Sequence, residues 1–156
     1  MIERSATHST FSIERTYDAS ASRVFAAWAD PQARAQWEAI GEGFETTSQE
    51  NDFRVGGRDV THFRFDDARL AAYAHYEDIV ANERIVYSYS MTHNEKRISV
   101  SLTTVELMPA GKQTRLVLTE QMTILDGGDK PEYRQQGISA QLDQLGDFLT
   151  QQVAHS

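Results

Sequence analysis

Three histidines, His62, His75 and His93, fall on neighbouring strand-like stretches of the chain. Imidazole is a common metal ligand, and three on adjacent strands would suffice for a site. A firm site, however, puts two ligands two or four residues apart on one element, and that spacing is absent. Surface or singly hydrogen-bonded histidines are therefore expected, and no metal. A Ser/His/Asp triad has the residues it needs, but no Gly-x-Ser-x-Gly turn that would present a nucleophilic serine. Zero cysteines rule out disulfides, thiol nucleophiles, thiolate-held clusters and zinc fingers. Gly56-Gly57 is followed by no Lys-Ser/Thr pair and opens no helix, so it is a turn between strands and not a phosphate loop. No cofactor is expected.

The aromatic residues carry more weight. Tyr73, Tyr76, Tyr87 and Tyr89 cluster on two adjacent strand stretches. A phenol offers apolar area with one polar tip, which suits a pocket that orients a ring-shaped or amphipathic ligand, although tyrosine also favours strands for packing alone. Arg58, Asp59 and Glu77 are the charged candidates. An arginine there would bind an acidic head group. A carboxylate forced into apolar surroundings would have a raised pKa and serve as a general acid or base. The plainer alternative is a set of exposed strand charges. Glu14/Arg15 and Glu83/Arg84 are most simply solvated.

Positioning these side chains falls to elements that the hydrophobic spacing makes visible. Phe11, Ile13 and Tyr17 alternate with Ser12, Glu14 and Thr16, a half-buried strand. Asp18 or Ser20 caps the helix that follows, in which Val24, Phe25 and Trp28 form an apolar stripe. Asp30-Pro31 ends it, and Pro31 suits the first turn of a second short helix that closes on Trp37. From Phe44 the period becomes two. Strands are expected over Val60 to Phe65, Tyr73 to Val80, Ile85 to Met91, Ile98 to Leu107 and Thr114 to Thr123, with turns at Ala81-Asn82-Glu83 and Pro109-Ala110-Gly111. After Pro131, Ile138, Leu142, Leu145 and Leu149 recur at helical spacing, widened by Phe148.

At 156 residues the chain has the size of one domain, with 40% hydrophobic and 24% charged residues. Residues 1–10 are polar and expected to be loose, and 11–153 to form a single ligand-binding domain. No apolar run approaches the roughly 18 residues that span a bilayer, and the N-terminus lacks an apolar signal core. A cytoplasmic location is expected, without integral membrane association. The formal charge of -8 argues against nucleic acid and anionic membranes.

Strand, two short helices, about six consecutive antiparallel strands and a long helix is an α+β order, with helices segregated to one face of a sheet. A helix with one apolar face must lie across a curved sheet, and a straight helix rarely fills that curve. Met91, Leu142 and Leu145 are then the expected floor of a hollow.

Six motifs in this order give the chain a family resemblance. They are Arg23-Val-Phe-Ala-Ala-Trp-Ala-Asp-Pro31, Trp37, Arg54-Val-Gly-Gly-Arg58, Glu83-Arg-Ile-Val-Tyr87, Thr114-Arg-Leu-Val-Leu-Thr119 and Leu142-Asp-Gln-Leu-Gly-Asp-Phe-Leu149. They resemble the START/birch-pollen-allergen superfamily, also called SRPBCC, and within it the homologues of the activator of heat-shock protein 90 ATPase. The resemblance spans about residues 11 to 150. It implies a helix-grip fold of about seven strands, with an apolar pocket between the sheet and the last helix. Trp37 and Phe44 would flank its mouth, and Phe53, Arg58, Asp59, Phe63, Tyr76, Tyr87 and Tyr89 would line it with Met91, Leu142 and Leu145. Relatives are described as lipid or small-hydrophobe binders, cyclase-like enzymes or stress-associated proteins, and homodimerisation is compatible with the resemblance. The cochaperone that names the family carries an additional N-terminal domain, for which this chain has no room, so activation of a chaperone ATPase is not expected.

Two departures bear on the pocket. Many relatives carry Gly-Trp near the start of the last helix, where this chain has Gly137-Ile138. The strand after Gly57 often alternates aromatics, where this chain has Asp59 and Thr61 before Phe63. Either the register is shifted and Val60 and His62 point inward, or the pocket has a polar wall, since a one-residue slip exchanges the faces. The expected function is binding of a small hydrophobic or amphipathic molecule. The alternatives are a cyclase- or isomerase-like enzyme using a pocket carboxylate, His or Tyr, and a chaperone-linked interaction module, which would need an exposed apolar patch.

Overall fold

A computed structural model describes residues 3–38 and 43–154. Strand β1 (Ala6–Tyr17) leads into α1 (Ala21–Ala29) and α2 (Pro31–Trp37), then β2 (Phe44–Glu50), β3 (Arg58–Phe65), β4 (Ala68–Val80), β5 (Arg84–His93), β6 (Lys96–Ala110) and β7 (Gln113–Leu125), and finally α3 (Pro131–Ala154). The strands make one antiparallel curved sheet in the order β1-β7-β6-β5-β4-β3-β2. The two helices after β1 therefore carry the chain from one edge of the sheet to the other. The fold is α+β and of helix-grip type, as the element order implies.

Local chemistry explains the boundaries. The Ser20 hydroxyl accepts from the Arg23 amide and caps α1; Asp30 accepts from the Gln32 amide and caps α2, with Pro31 in its first turn. Gly56 has φ 83°, a left-handed conformation that glycine adopts freely, and turns the chain into β3. Two boundaries differ from the sequence reading. β1 starts at Ala6, because residues 6–10, expected to be loose, are laddered to β7 from Ala6↔Leu125 onward. β6 runs through Pro109 and Ala110 and turns at Gly111, since Pro109 and Ala110 still pair with Thr114 and Gln113.

The core lies where α1 and α3 meet β1, β7, the nearer part of β6 and the start of β5. Val24, Ile85, Val105, Leu116, Leu118, Leu142, Leu145 and Leu149 are fully or almost fully buried there. The α3 stripe runs along β1, α1 and α2. It is fastened by the Tyr17 hydroxyl, which donates to the Leu142 carbonyl at 2.7 Å, and by Arg23, which donates to the Leu149 carbonyl at 2.7 Å. At the start of α3, a Cβ on Gly128 would come within 2.7 Å of Ile98 Cγ2, so the approach there needs glycine. Among the described residues, no helix is long and apolar enough to cross a membrane.

Candidate functional site

Register assigns the faces. Cα partners share a face, so the inner, helix-facing surface carries Tyr76 with Tyr87, Tyr87 with Thr103, and Thr103 with Glu120. It also carries Asp59 with Ala74, Thr61 with Ala72 and Phe63 with Leu70. The register after Gly57 is thus unshifted: Asp59 and Thr61 point inward, and Val60 and His62 point outward. The inner wall is polar at this point, and it is polar because Asp59 has partners.

Those partners form the first of two buried ion clusters. Arg34 of α2 donates to Asp59 and to Glu38, and its Nη1 donates to the Tyr76 hydroxyl at 2.8 Å. The Tyr76 hydroxyl donates to Asp59 in turn. The Asp52 amide closes the other carboxylate oxygen at 3.2 Å. Burial pushes the Glu38 carboxyl above its ordinary range, against the pull of Arg34. Burial likewise opposes the charge of Arg34, but Glu38, Tyr76 and Asp59 outweigh it and hold the guanidinium protonated.

A second cluster sits across the sheet. Glu120 of β7 has no exposure to solvent. It accepts from the Tyr89 hydroxyl at 2.8 and 2.9 Å, from Thr103 at 3.2 Å and from Ser101 at 3.4 Å. Arg134, from the first turns of α3, lies 3.5 Å from Glu120 and donates to the Tyr89 hydroxyl at 2.9 Å. Its other nitrogen reaches Ser99 and Asp129, each at 2.8 Å. Burial raises the Glu120 carboxyl, and Arg134 opposes that rise most strongly. Buried charges persist only when paired and hydrogen-bonded in this way.

Between the clusters stands Tyr87. Its ring centroid is 6.1 Å from Tyr76 and 5.9 Å from Tyr89, so the three phenols form a row along the inner face. Burial raises all three hydroxyl pKa values and keeps the row protonated. Tyr87, Tyr89 and Met91 on β5 remain half-buried, as do Thr61 and Phe63 on β3, Ala72 and Ala74 on β4, and Ile138 on α3. Within one face, then, the β1–β7 end is closed and the β3–β5 end keeps open surface.

Residues proposed from the sequence divide accordingly. Asp59, Phe63, Tyr76, Tyr87, Tyr89 and Met91 share the inner face. Phe53 packs edge-on against Tyr76 at 4.9 Å and Phe25 at 5.6 Å, linking α1 to the row. Leu142 and Leu145, expected as the floor of a hollow, are 1% and 0% exposed within the packed core. Trp37 is buried between the short helices, its ring 4.8 Å from Trp28 and its indole donating to the Ala27 carbonyl at 3.0 Å. Phe44, on the edge strand, shares the inner face by register: it stacks on Phe65 at 4.4 Å and its ring is 6.1 Å from Phe63. Arg58 and Tyr73 point to the outer face, where they line a groove of about 350 Å³ with His75, Ser88 and Arg97. A second groove, of about 670 Å³, lies outside the sheet–helix interior between β1 and α3. Glu77 is exposed and accepts from Ser88 at 3.1 Å. His62 also faces outward, its ring 6.0 Å from Tyr73.

The sequence reading missed Arg34, Glu38, Glu120 and Arg134. Two of these had a signal. Glu120 falls in phase with Leu116, Leu118, Met122 and Ile124, so the alternation that defines β7 places a carboxylate inward. Arg134 sits four residues before Ile138, on the same stripe as Leu142, Leu145 and Leu149. A charge in phase with an apolar stripe calls for a buried partner, and each of these supplies the other's.

Comparison with known proteins agrees with this fold. A protein from Rhizobium loti has 42% identity and a TM-score of 0.86, over 92% of this chain and 99% of its own. A protein from Rhizobium leguminosarum has 42% identity and a TM-score of 0.90, over 96% and 99%. An AHSA1-like protein from Aeromonas hydrophila, at 22% identity and a TM-score of 0.70 over 91% and 92%, shares the fold. None of the proteins with a curated description matches the chain. The model of the family described as activator of Hsp90 ATPase homolog 1-like protein matches residues 18–150. The chain belongs to that family, and through it to the SRPBCC superfamily.

Proposed function

We propose that the protein binds a small amphipathic molecule on the inner face of the sheet, against the row of Tyr76, Tyr87 and Tyr89. The carrying observation is the half-burial of Tyr87, Tyr89, Met91, Thr61 and Phe63 on a face whose other end is sealed. Apolar walls with a few oriented polar groups suit such a ligand. The two ion clusters hold the two ends of the row, through Tyr76 and Tyr89. This reading includes no cofactor and no nucleic-acid partner.

Native mass spectrometry of protein purified without denaturation should show a retained small molecule. Titration of isotope-labelled protein with that molecule should then move the side-chain resonances of Tyr87, Met91 and Phe63. Shifts confined to the outer groove around Arg58, Tyr73 and Arg97 would remove the proposal.

One observation favours a second reading, proton transfer on an apolar substrate. The Glu38 carboxyl is pushed above its ordinary range by burial, against the pull of Arg34, and keeps 22% of its side chain exposed, so a carboxyl with a raised pKa lies within reach of solvent. Glu120 is a poorer candidate because Tyr89, Thr103 and Ser101 already occupy its oxygens. Loss of a turnover in Glu38→Gln with binding retained would support the enzyme.

A further inference from the structure

Exposed arginines in this chain normally hold an acid. Arg4, Arg54, Arg84 and Arg115 are exposed, and each pairs with a carboxylate. A chain with a formal charge of -8 has acids to spare for this. Arg58, Arg64 and Arg97 are exposed as well, yet among the described residues they make no ion pair and no side-chain hydrogen bond. Arg58 and Arg97 line the outer-face groove of about 350 Å³.

Strand register builds that groove. Arg58, His75, Ser88 and Leu102 form one row across β3 to β6, and Val60, Tyr73, Ser90 and Val100 form the next. Arg97 pairs with Thr92, on the far side of the Tyr73 row from Arg58. The two arginines therefore flank that row from opposite corners, on strands roughly 14 Å apart at the usual spacing. Such a separation suits a molecule with an acid at each end better than one compact ion. Between the corners, Tyr73 and Val100 are 36% and 45% exposed and offer an apolar floor. No carboxylate lines the groove. Glu50, in register with Val60, and Glu77, which accepts from Ser88 at 3.1 Å, border it and pair with neither arginine.

We propose that this groove binds a small organic dianion, a flat apolar body with an acid group at each end, one held by Arg58 and the other by Arg97. A guanidinium matches a carboxylate with two parallel hydrogen bonds, and an unpaired one gives up no internal partner to do so. Tyr73 and Val100 meet the apolar body between the two ends. The groove is on the opposite face of the sheet from the tyrosine row, so this site is independent of the inner-face reading.

Terephthalate, benzoate and a polyglutamate peptide are the probes, titrated calorimetrically and by side-chain resonance shifts. Terephthalate should move the resonances of Tyr73, His75 and Val100 and leave those of Tyr87 and Met91 in place. Benzoate should bind about fivefold more weakly, the upper worth of one exposed ion pair. Arg58→Gln and Arg97→Gln change surface residues and should keep the parent melting temperature. Each should weaken terephthalate about fivefold, to the level of benzoate. Arg64→Gln removes the same charge from the same face outside the groove, and should change affinity by less than about twofold. Equal losses in Arg58→Gln and Arg64→Gln would mean diffuse attraction and overturn the proposal. Terephthalate no tighter than benzoate, or shifts confined to Tyr87 and Met91, would overturn it too. So would polyglutamate binding through both arginines where terephthalate does not bind, since the occupant would then be an acidic polypeptide. Each of these results leaves the inner-face reading standing.

Discussion

The Tyr89 hydroxyl lies 2.8 Å from one oxygen of Glu120 and 2.9 Å from the other, bridging a carboxylate that has no contact with solvent. The same hydroxyl accepts from Arg134 at 2.9 Å. One phenol thereby mediates between an acid and a base that are themselves 3.5 Å apart. Tyr89→Phe removes this link and should cost about 1–3 kcal/mol, the penalty for under-satisfying a buried acceptor. Arg134→Ala removes the cation and should cost more, about 3–5 kcal/mol. Urea unfolding at neutral pH gives both values. A loss below about 1 kcal/mol for Arg134→Ala would show that Glu120 does not depend on it.

Glu38 makes the stability depend on pH in an unusual direction. Its carboxyl titrates above the ordinary value of 4.5 in the folded protein, chiefly because it is buried. The folded state therefore keeps a proton that the unfolded state releases. Stability from this group is full below pH about 4.5 and is lost as pH rises through the folded value. Glu120 acts in the same sense. Glu38→Gln cannot titrate, so above pH 4.5 its stability should fall less steeply with pH than that of the parent protein. Unfolding curves between pH 4 and pH 8 test this, and parallel slopes for the two proteins would contradict it.

Strand β6 inverts the usual pattern. Ser99, Ser101 and Thr103 are buried, while Val100 and Leu102 are 45% and 39% exposed on the outer face. Val100→Thr should change stability by no more than about 0.5 kcal/mol. Ser101→Val, which makes the buried side more apolar, should instead cost about 1–3 kcal/mol, because Glu120 loses a donor. Thermal unfolding of the two variants decides whether polar satisfaction or hydrophobicity orients this strand. A stabilised Ser101→Val would favour hydrophobicity.

That inversion marks the limit of what the chain discloses before it is folded. Element order is legible because each period is repeated: two along β5 and β7, three to four along α3. Capping at Ser20 and Asp30 is legible because it is local. The inner face of β6 is not, because the reason for three buried hydroxyls lies 17 to 35 residues away, in Glu120 and Arg134. Asp59 stands between these cases. Its inward phase follows from the alternation ending at Phe63, but its acceptance there depends on Arg34, in a helix on the far side of the sheet's edge. Arg58 faces outward for the complementary reason. Being adjacent to Asp59, it must face the other way.

The α3 stripe separates sealed core from open face, and two substitutions locate the border. Leu145 is 0% exposed, and Leu145→Ala should cost about 2–5 kcal/mol by leaving a cavity. Ile138, two turns earlier, is half-buried and packs only partly against the core. Under the inner-face proposal, Ile138 borders the room beside the tyrosine row. Ile138→Trp should occupy that room, lowering affinity for the retained small molecule at least tenfold while leaving the melting temperature unchanged or higher. If the space were already filled, the added ring would be overpacked and stability would drop by about 1–3 kcal/mol. A destabilised Ile138→Trp that still bound that molecule would mean that the open surface of Tyr87 and Tyr89 faces somewhere other than α3.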